Sequence, residues 1–361
     1  MGDMGSSRIE RLHTNDLELG ATEAVQQHFA RHVVASKPVS QRKLNFEHSR
    51  PRWLRECMAE ATGVFFYVFA GISATTVFTI NQENAALGSI FQIGAAFALG
   101  IAFAIITCAS TSGGHFNPAI TICFAIWQGF PWRKVPHYIF SQILGAFIAG
   151  ILMMGMYHQQ LSEFETSLRE AGHVGSMVFN GGPASVLCSI PNGNQTNLGY
   201  LFFIEFFVDA YIGIIIWAVL DPANPFVSAS SAPFAIGLGY ATMIWGWAPA
   251  TISTNLARDL GTRIVAAIFY GGEVFSFHNY SWIAILVNIP ATIFATAYYE
   301  FLMRDSLRKI GKGAALHEHG EEGLALHLTK TEIATERGMM NAAAAAAAAS
   351  AAEEGAEEKM R

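Results

Sequence analysis

Thr111-Ser112-Gly113-Gly114-His115-Phe116-Asn117-Pro118-Ala119 lies inside a run, 85–132, that holds no Asp, Glu, Lys or Arg. Paired glycines make the first part of this stretch a poor helix. Asn117 then opens a short apolar segment, 117–128, with a side chain suited to capping a helix N-terminus. A helix that crosses a bilayer needs about 20 mostly apolar residues, so this segment reads as re-entrant. Non-helical backbone at membrane depth is tolerated only where it lines a wet cavity or is buried in protein. The carbonyls of Gly113, Gly114 and His115 are therefore expected to line a narrow path and accept hydrogen bonds from a passing solute.

The surrounding composition supports a membrane location. Of 361 residues, 52% are hydrophobic and 14% charged, and two further runs, 222–257 and 274–299, also lack Asp, Glu, Lys and Arg. Soluble helices alternate apolar and polar faces and cannot expose such runs. Hydropathy predicts six spans, at 57–80, 87–109, 135–157, 198–220, 232–248 and 280–303, and a second short apolar piece at 255–270. Basic residues cluster before the first span (Arg42, Lys43, Arg50, Arg52, Arg55), before the third (Arg133, Lys134) and after the sixth (Arg304, Arg308, Lys309, Lys312). Six spans put these clusters on one side, so both termini are expected to be cytoplasmic. The loop 158–197 carries only Arg169 and is expected outside. It holds the sequon Asn194-Gln195-Thr196; a second, Asn279-Tyr280-Ser281, abuts a span. The first 50 residues contain no apolar signal-peptide core. The predicted division is a tail at 1–52, a channel domain at 53–305 and a tail at 306–361. Repeats at about 53–157 and 198–305 flank the loop. The four cysteines match no zinc or redox spacing.

The two halves echo one another. Glu60 stands 57 residues before Asn117-Pro118-Ala119, and Glu205 stands 50 before Asn255-Leu256-Ala257. Three spans per half give the halves opposite orientations. Inverted repeats of this kind place the working site near mid-membrane, where broken helices meet. Both half-helix N-termini would point there and create a positive potential that disfavours cations.

These residues resemble the major intrinsic protein family of aquaporins and aquaglyceroporins. Residues 112–119 match the family's first box and Asn255-Leu256-Ala257-Arg258-Asp259 resembles the second. The match extends over about residues 50–305. Leu256 departs from the usual proline, which favours but is not essential to a first helical turn. The resemblance implies an all-α fold of six transmembrane helices and two re-entrant half-helices. It assigns Glu60 and Glu205 to bracing the two loops and His115 to loop packing. It implies a selectivity filter of Phe97, Ile252, Arg258 and a fifth-span residue, either Met243 or Ile244. No histidine falls at the fifth-span position, and Asp259 follows Arg258 as in glycerol-conducting members. An aquaglyceroporin is therefore implied, similar to fungal members in its long tails and third loop. The expected function is passive passage of water and small uncharged solutes such as glycerol. A homotetramer in the lipid bilayer, at the plasma membrane, is implied. No cofactor, enzymatic activity or nucleic-acid partner is expected.

Asp209, four residues after Glu205 and on the same helical face, matches no usual family position. A proton-coupled secondary transporter using Glu205 and Asp209 is the competing expectation, because such proteins also use inverted repeats and broken helices.

Overall fold

The computed structural model describes residues 40–81, 87–221, 224 and 226–304. The two predicted tails, 1–52 and 306–361, fall largely outside the described residues. A short helix, Gln41–Ser49, is capped by Ser40 and precedes Pro51.

The six spans in chain order are Arg52–Ile80, Ile90–Ser112, Val135–Met156, Leu198–Leu220, Ala232–Trp247 and a final one from Ser281 to Met303. The first begins five residues earlier than hydropathy indicates. Arg52 and Glu56 pair one turn apart at 3.0 Å, which stabilises a polar first turn. Glu56 also receives Lys134 Nζ at 2.7 Å, joining the start of span 1 to that of span 3. Span 2 runs to Ser112 and ends at Gly113, whose φ of 91° supplies a left-handed C-cap.

Span 5 has only sixteen residues and continues as a single 3-10 turn, Ala248–Ala250. Span 6 is interrupted: helix Ser281–Leu286, a break at Val287, helix Asn288–Tyr298, then a π-turn Tyr299–Met303. Pro290 explains the break, since its ring and missing N–H disrupt the bond to the carbonyl four residues back, that of Leu286. The half-helices are Pro118–Trp127 and Leu256–Tyr270. Half-helix 2 packs on span 3, and half-helix 1 packs on span 6, so each is seated on the opposite half of the repeat.

Small residues permit the close crossings on which this arrangement depends. A Cβ at Gly261 would lie 2.6 Å from the Ile143 carbonyl, and one at Gly145 would strike the Ala61 carbonyl. On span 3, Phe140, Leu144, Ile148, Leu152 and Met156 form an outward stripe with i, i+4 spacing and are all exposed. Such a stripe suits hydrocarbon rather than water.

The segment 158–197 is more ordered than a polar loop. His158–Glu170 is a helix with Leu161 buried beneath it. Ala184, Val186, Leu187 and Cys188 are fully buried within the main core, so the connection dips back into the bundle. Asn194 is exposed on it, and Asn279 is exposed beside span 6.

Candidate functional site

Each half-helix starts with an asparagine that caps it. Asn117 Oδ1 accepts from Ala119 N at 2.9 Å; Asn255 Oδ1 accepts from Ala257 N at 2.9 Å and Arg258 N at 3.2 Å. These bonds satisfy backbone donors that a helix N-terminus leaves free. Leu256 begins its half-helix as Pro118 begins the other, and the Asn255 cap forms without proline.

The loops then cross-link. Asn117 Nδ2 donates to the Thr254 carbonyl at 3.3 Å, and Asn255 Nδ2 donates to the Phe116 carbonyl at 2.9 Å. Phe116 and Thr254, each immediately before a cap, have φ of 50° and 67°. Left-handed backbone is unfavourable for side chains of this bulk, so the surrounding bonds must hold it.

Two buried glutamates supply much of that hold. Glu60 accepts from His115 N at 3.0 Å, Phe116 N at 2.8 Å, Ser112 Oγ at 2.6 Å and Gln142 Nε2 at 2.7 Å. Glu205 accepts from Ser253 N at 2.9 Å and Thr254 N at 2.6 Å. His115 stacks on Phe124 with ring centroids 4.5 Å apart and has its Nδ1 3.2 Å from Thr121 Oγ1. No group of three or more His, Cys, Asp or Glu that could hold a metal occurs among the described residues.

Arg258, three residues past Asn255, has its guanidinium carbon 6.0 Å from the centre of the Phe97 ring. Phe97 is fixed in turn by Gly71, where any Cβ would collide with the ring. Both residues border a cavity of about 410 Å³, together with Met243, Ile244 and Ile252. Met243 and Ile244 both border it, so the two fifth-span alternatives remain adjacent parts of one wall. Gly113, Gly114 and His115 do not border this cavity; their loop reaches the asparagine pair from the other half of the repeat.

Asp259 is fully buried and acts as an anchor. It pairs with Arg263 Nε at 2.6 Å, accepts from Ser189 N at 3.0 Å and lies 3.4 Å from Arg258 Nη1. Arg263 donates onward to the carbonyls of Ser189 and Val274. Sequence reasoning missed Arg263, although its i+4 spacing from Asp259 within an apolar helix is a usable signal. It also missed Gln142 and Asn288. Asn288 sits at the span 6 break and donates to the Thr254 carbonyl at 2.8 Å. Buried amides in otherwise apolar spans were the available signal.

Asp209 is fully buried, and neither carboxylate oxygen meets a hydrogen-bond donor with satisfactory geometry. Its polar neighbours are Glu205 and Asn288, whose Oδ1 also lacks a donor. An amide at position 209 would remove the cost of burying an unpaired carboxylate. Asp209→Asn is therefore expected to raise the melting temperature of the solubilised protein while preserving solute flux. Thermal unfolding followed by tryptophan fluorescence checks this; lower stability would contradict it.

Six spans, two asparagine-capped half-helices and the inverted repeat define a polytopic membrane protein whose broken helices meet between its halves. The major intrinsic protein model matches residues 47–299. Aquaporin-3 of Laccaria bicolor is 43% identical over 261 residues, covering 72% of this chain and 79% of that relative. Aquaglyceroporin-2 of Rhizophagus irregularis is 31% identical over 268 residues, covering 73% and 82%. The X-ray structure of the aquaglyceroporin from Plasmodium falciparum superposes with a TM-score of 0.59 at 22% identity, over 72% of this chain and 98% of that one. The chain belongs to the major intrinsic protein family. It is accordingly a multi-pass membrane channel for water and small solutes, and not an enzyme.

Proposed function

We propose that the channel passes water and small polyols such as glycerol passively, and excludes protons and other ions. The observation that carries this reading is that Arg258, with its guanidinium carbon 6.0 Å from the Phe97 ring centre, borders one cavity with Phe97, Ile252 and Ile244. A polyol can lay its carbon chain on these apolar side chains while its hydroxyls accept from the guanidinium, which offers several fixed donors. No histidine borders the cavity among the described residues. Similarity to a relative named an aquaglyceroporin supports the same solute class. Ile244 is assigned the fifth-span position because it is more exposed than Met243, at 7% against 1%.

Ion exclusion follows from the positive ends of two half-helices and the Arg258 charge at the same passage. In this reading Asn117, Pro118, Ala119, Asn255, Leu256 and Ala257 form the midpoint, and Gly113, Gly114 and His115 supply acceptors on the other approach. Glu60 and Glu205 hold the loops. The proton-coupled alternative needs Glu205 and Asp209 to exchange protons with water. Neither borders the cavity, and Glu205 is occupied by loop amides. The reading also puts both termini in the cytoplasm and the channel in the plasma membrane as a homotetramer.

Proteoliposomes in a shrink–swell assay test it: water and glycerol should both cross faster than through protein-free bilayers, with no dependence on a proton gradient. Phe97→Ala removes one side of the ring of contacts and is expected to raise the size cutoff. Permeabilities to a polyol series read this out, and unchanged discrimination between small and large polyols would argue against Phe97 in the filter.

A further inference from the structure

Thr251 stands immediately before Ile252 and has φ of 74° and ψ of 109°. Positive φ is a backbone outlier for a β-branched residue. Such a conformation persists only where its surroundings over-determine it. Thr251 N donates to the Ala248 carbonyl at 3.0 Å and closes the 3-10 turn after span 5. That bond does not reach the peptide that leads into Ile252.

The remaining hold comes from the segment 158–197. Gln195 Oε1 accepts from Thr251 Oγ1 at 3.0 Å and from Asn192 N at 3.0 Å, and Gln195 Nε2 donates to the Ala250 carbonyl at 3.1 Å. A backbone N–H only donates and a carbonyl only accepts, so these contacts fix which end of the amide faces which partner. One side chain thus grips residues 250 and 251 together. It is itself seated: Gln195 N donates to the Asn192 carbonyl at 2.8 Å, and the Gln195 carbonyl lies 3.3 Å from His278 Nδ1. Ser189 adds a second fastening. Its Oγ donates to the Ile252 carbonyl at 2.6 Å, and its N–H donates to Asp259 at 3.0 Å. Thr251 and Ile252 border the cavity with Arg258, and Gln195 does not. Gln195 therefore touches the loop rather than the solute path.

We propose that Gln195 is a positioning residue for solute selectivity: it clasps Thr251 at positive φ and so sets where the Ile252 side chain stands in the cavity. The inference rests on the channel reading. Without the clasp, Thr251 is released to the negative φ that a β-branched residue prefers, and the peptide carrying Ile252 turns with it. Ser189 still holds the Ile252 carbonyl, so the side chain shifts while the loop stays in place. An Ile252 that is less sharply placed lets wider solutes through.

The test compares wild type, Gln195→Ala, Gln195→Glu, the double variant Gln195→Ala with Thr251→Gly, and Phe97→Ala in proteoliposomes, with glycerol and erythritol as probes. The readout is the erythritol-to-glycerol permeability ratio, which does not depend on how many channels folded. Gln195→Ala is expected to raise it on the order of fivefold, the equivalent of one net hydrogen bond. Gln195→Glu keeps the acceptor for Thr251 but turns an oxygen towards the Ala250 carbonyl, so a smaller rise is expected. Glycine adopts positive φ without steric cost. Adding Thr251→Gly should therefore bring the ratio most of the way back to wild type, which a merely structural role of Gln195 would not produce. Gln195 variants of unchanged ratio beside a conducting wild type would overturn the clasp, and would overturn it alone if Phe97→Ala still raises the ratio. A ratio raised by Gln195→Ala and left raised by Thr251→Gly would overturn it too, since Gln195 would then act by another route. Wild-type vesicles that pass glycerol no faster than protein-free ones would overturn the channel reading itself, and the clasp with it.

Discussion

Glu60→Leu is expected to abolish a conducting channel by preventing stable folding. Four donors converge on this carboxylate: the backbone N–H groups of His115 and Phe116, the Ser112 hydroxyl and the Gln142 amide. All are buried, and leucine accepts from none of them. A buried donor left unpaired costs about 1–3 kcal/mol. Four such losses amount to a large part of a folding stability that is typically about 5–15 kcal/mol. The loss also releases Phe116 from its left-handed conformation and so removes the carbonyl that holds Asn255. Glu60→Gln keeps the shape and one acceptor oxygen, but its amide group faces donors where an acceptor is required. It should give an intermediate, thermolabile protein. Monodispersity in detergent and melting temperature, measured for both variants, check this. A Glu60→Leu protein as stable as wild type would show that the Glu60 bonds do not hold the loop.

Arg258→Ala is expected to leave a folded protein with altered selectivity. Asp259, Arg258 and Arg263 form one charged cluster, with Asp259 bonded to Arg263 at 2.6 Å and to Arg258 at the longer 3.4 Å. Removing Arg258 leaves the shorter pair intact, so the anchor to Ser189 survives. The local formal charge drops from one positive to zero. Two unit charges 4 Å apart interact by about 4 kcal/mol at an effective dielectric of 20, so a cation barrier built on Arg258 should fall by orders of magnitude. Larger polyols should also pass, because the alanine widens the cavity that Arg258 borders with Phe97. A pH-sensitive dye trapped in vesicles reads the proton leak, and a polyol series reads the size cutoff. An unchanged profile in both would remove Arg258 from the constriction.

The elements most legible in the sequence were those tied to a simple physical pattern. Asn117 and Asn255 could be placed at helix starts because an asparagine opening a short apolar segment offers a cap. The six spans followed from the lengths of the apolar runs. Their ends shifted where local bonds outweighed hydropathy, as at Arg52–Glu56, or where Gly113 imposed a cap. Pro290 was visible in the sequence, but the split of span 6 that puts Asn288 against Thr254 was not drawn from it. The helix His158–Glu170 was missed because its polar composition reads as a loop, although its amphipathic spacing was a usable signal. The resemblance left Met243 and Ile244 as alternatives for the fifth-span position, and both border the cavity.

The most direct test of the channel account is the flux of water and glycerol into wild-type proteoliposomes, with and without a proton uncoupler. Both solutes are expected to cross faster than in protein-free vesicles, without saturation and with no response to the uncoupler. Glycerol flux that collapses when the uncoupler is added would contradict passive conduction and favour coupled transport.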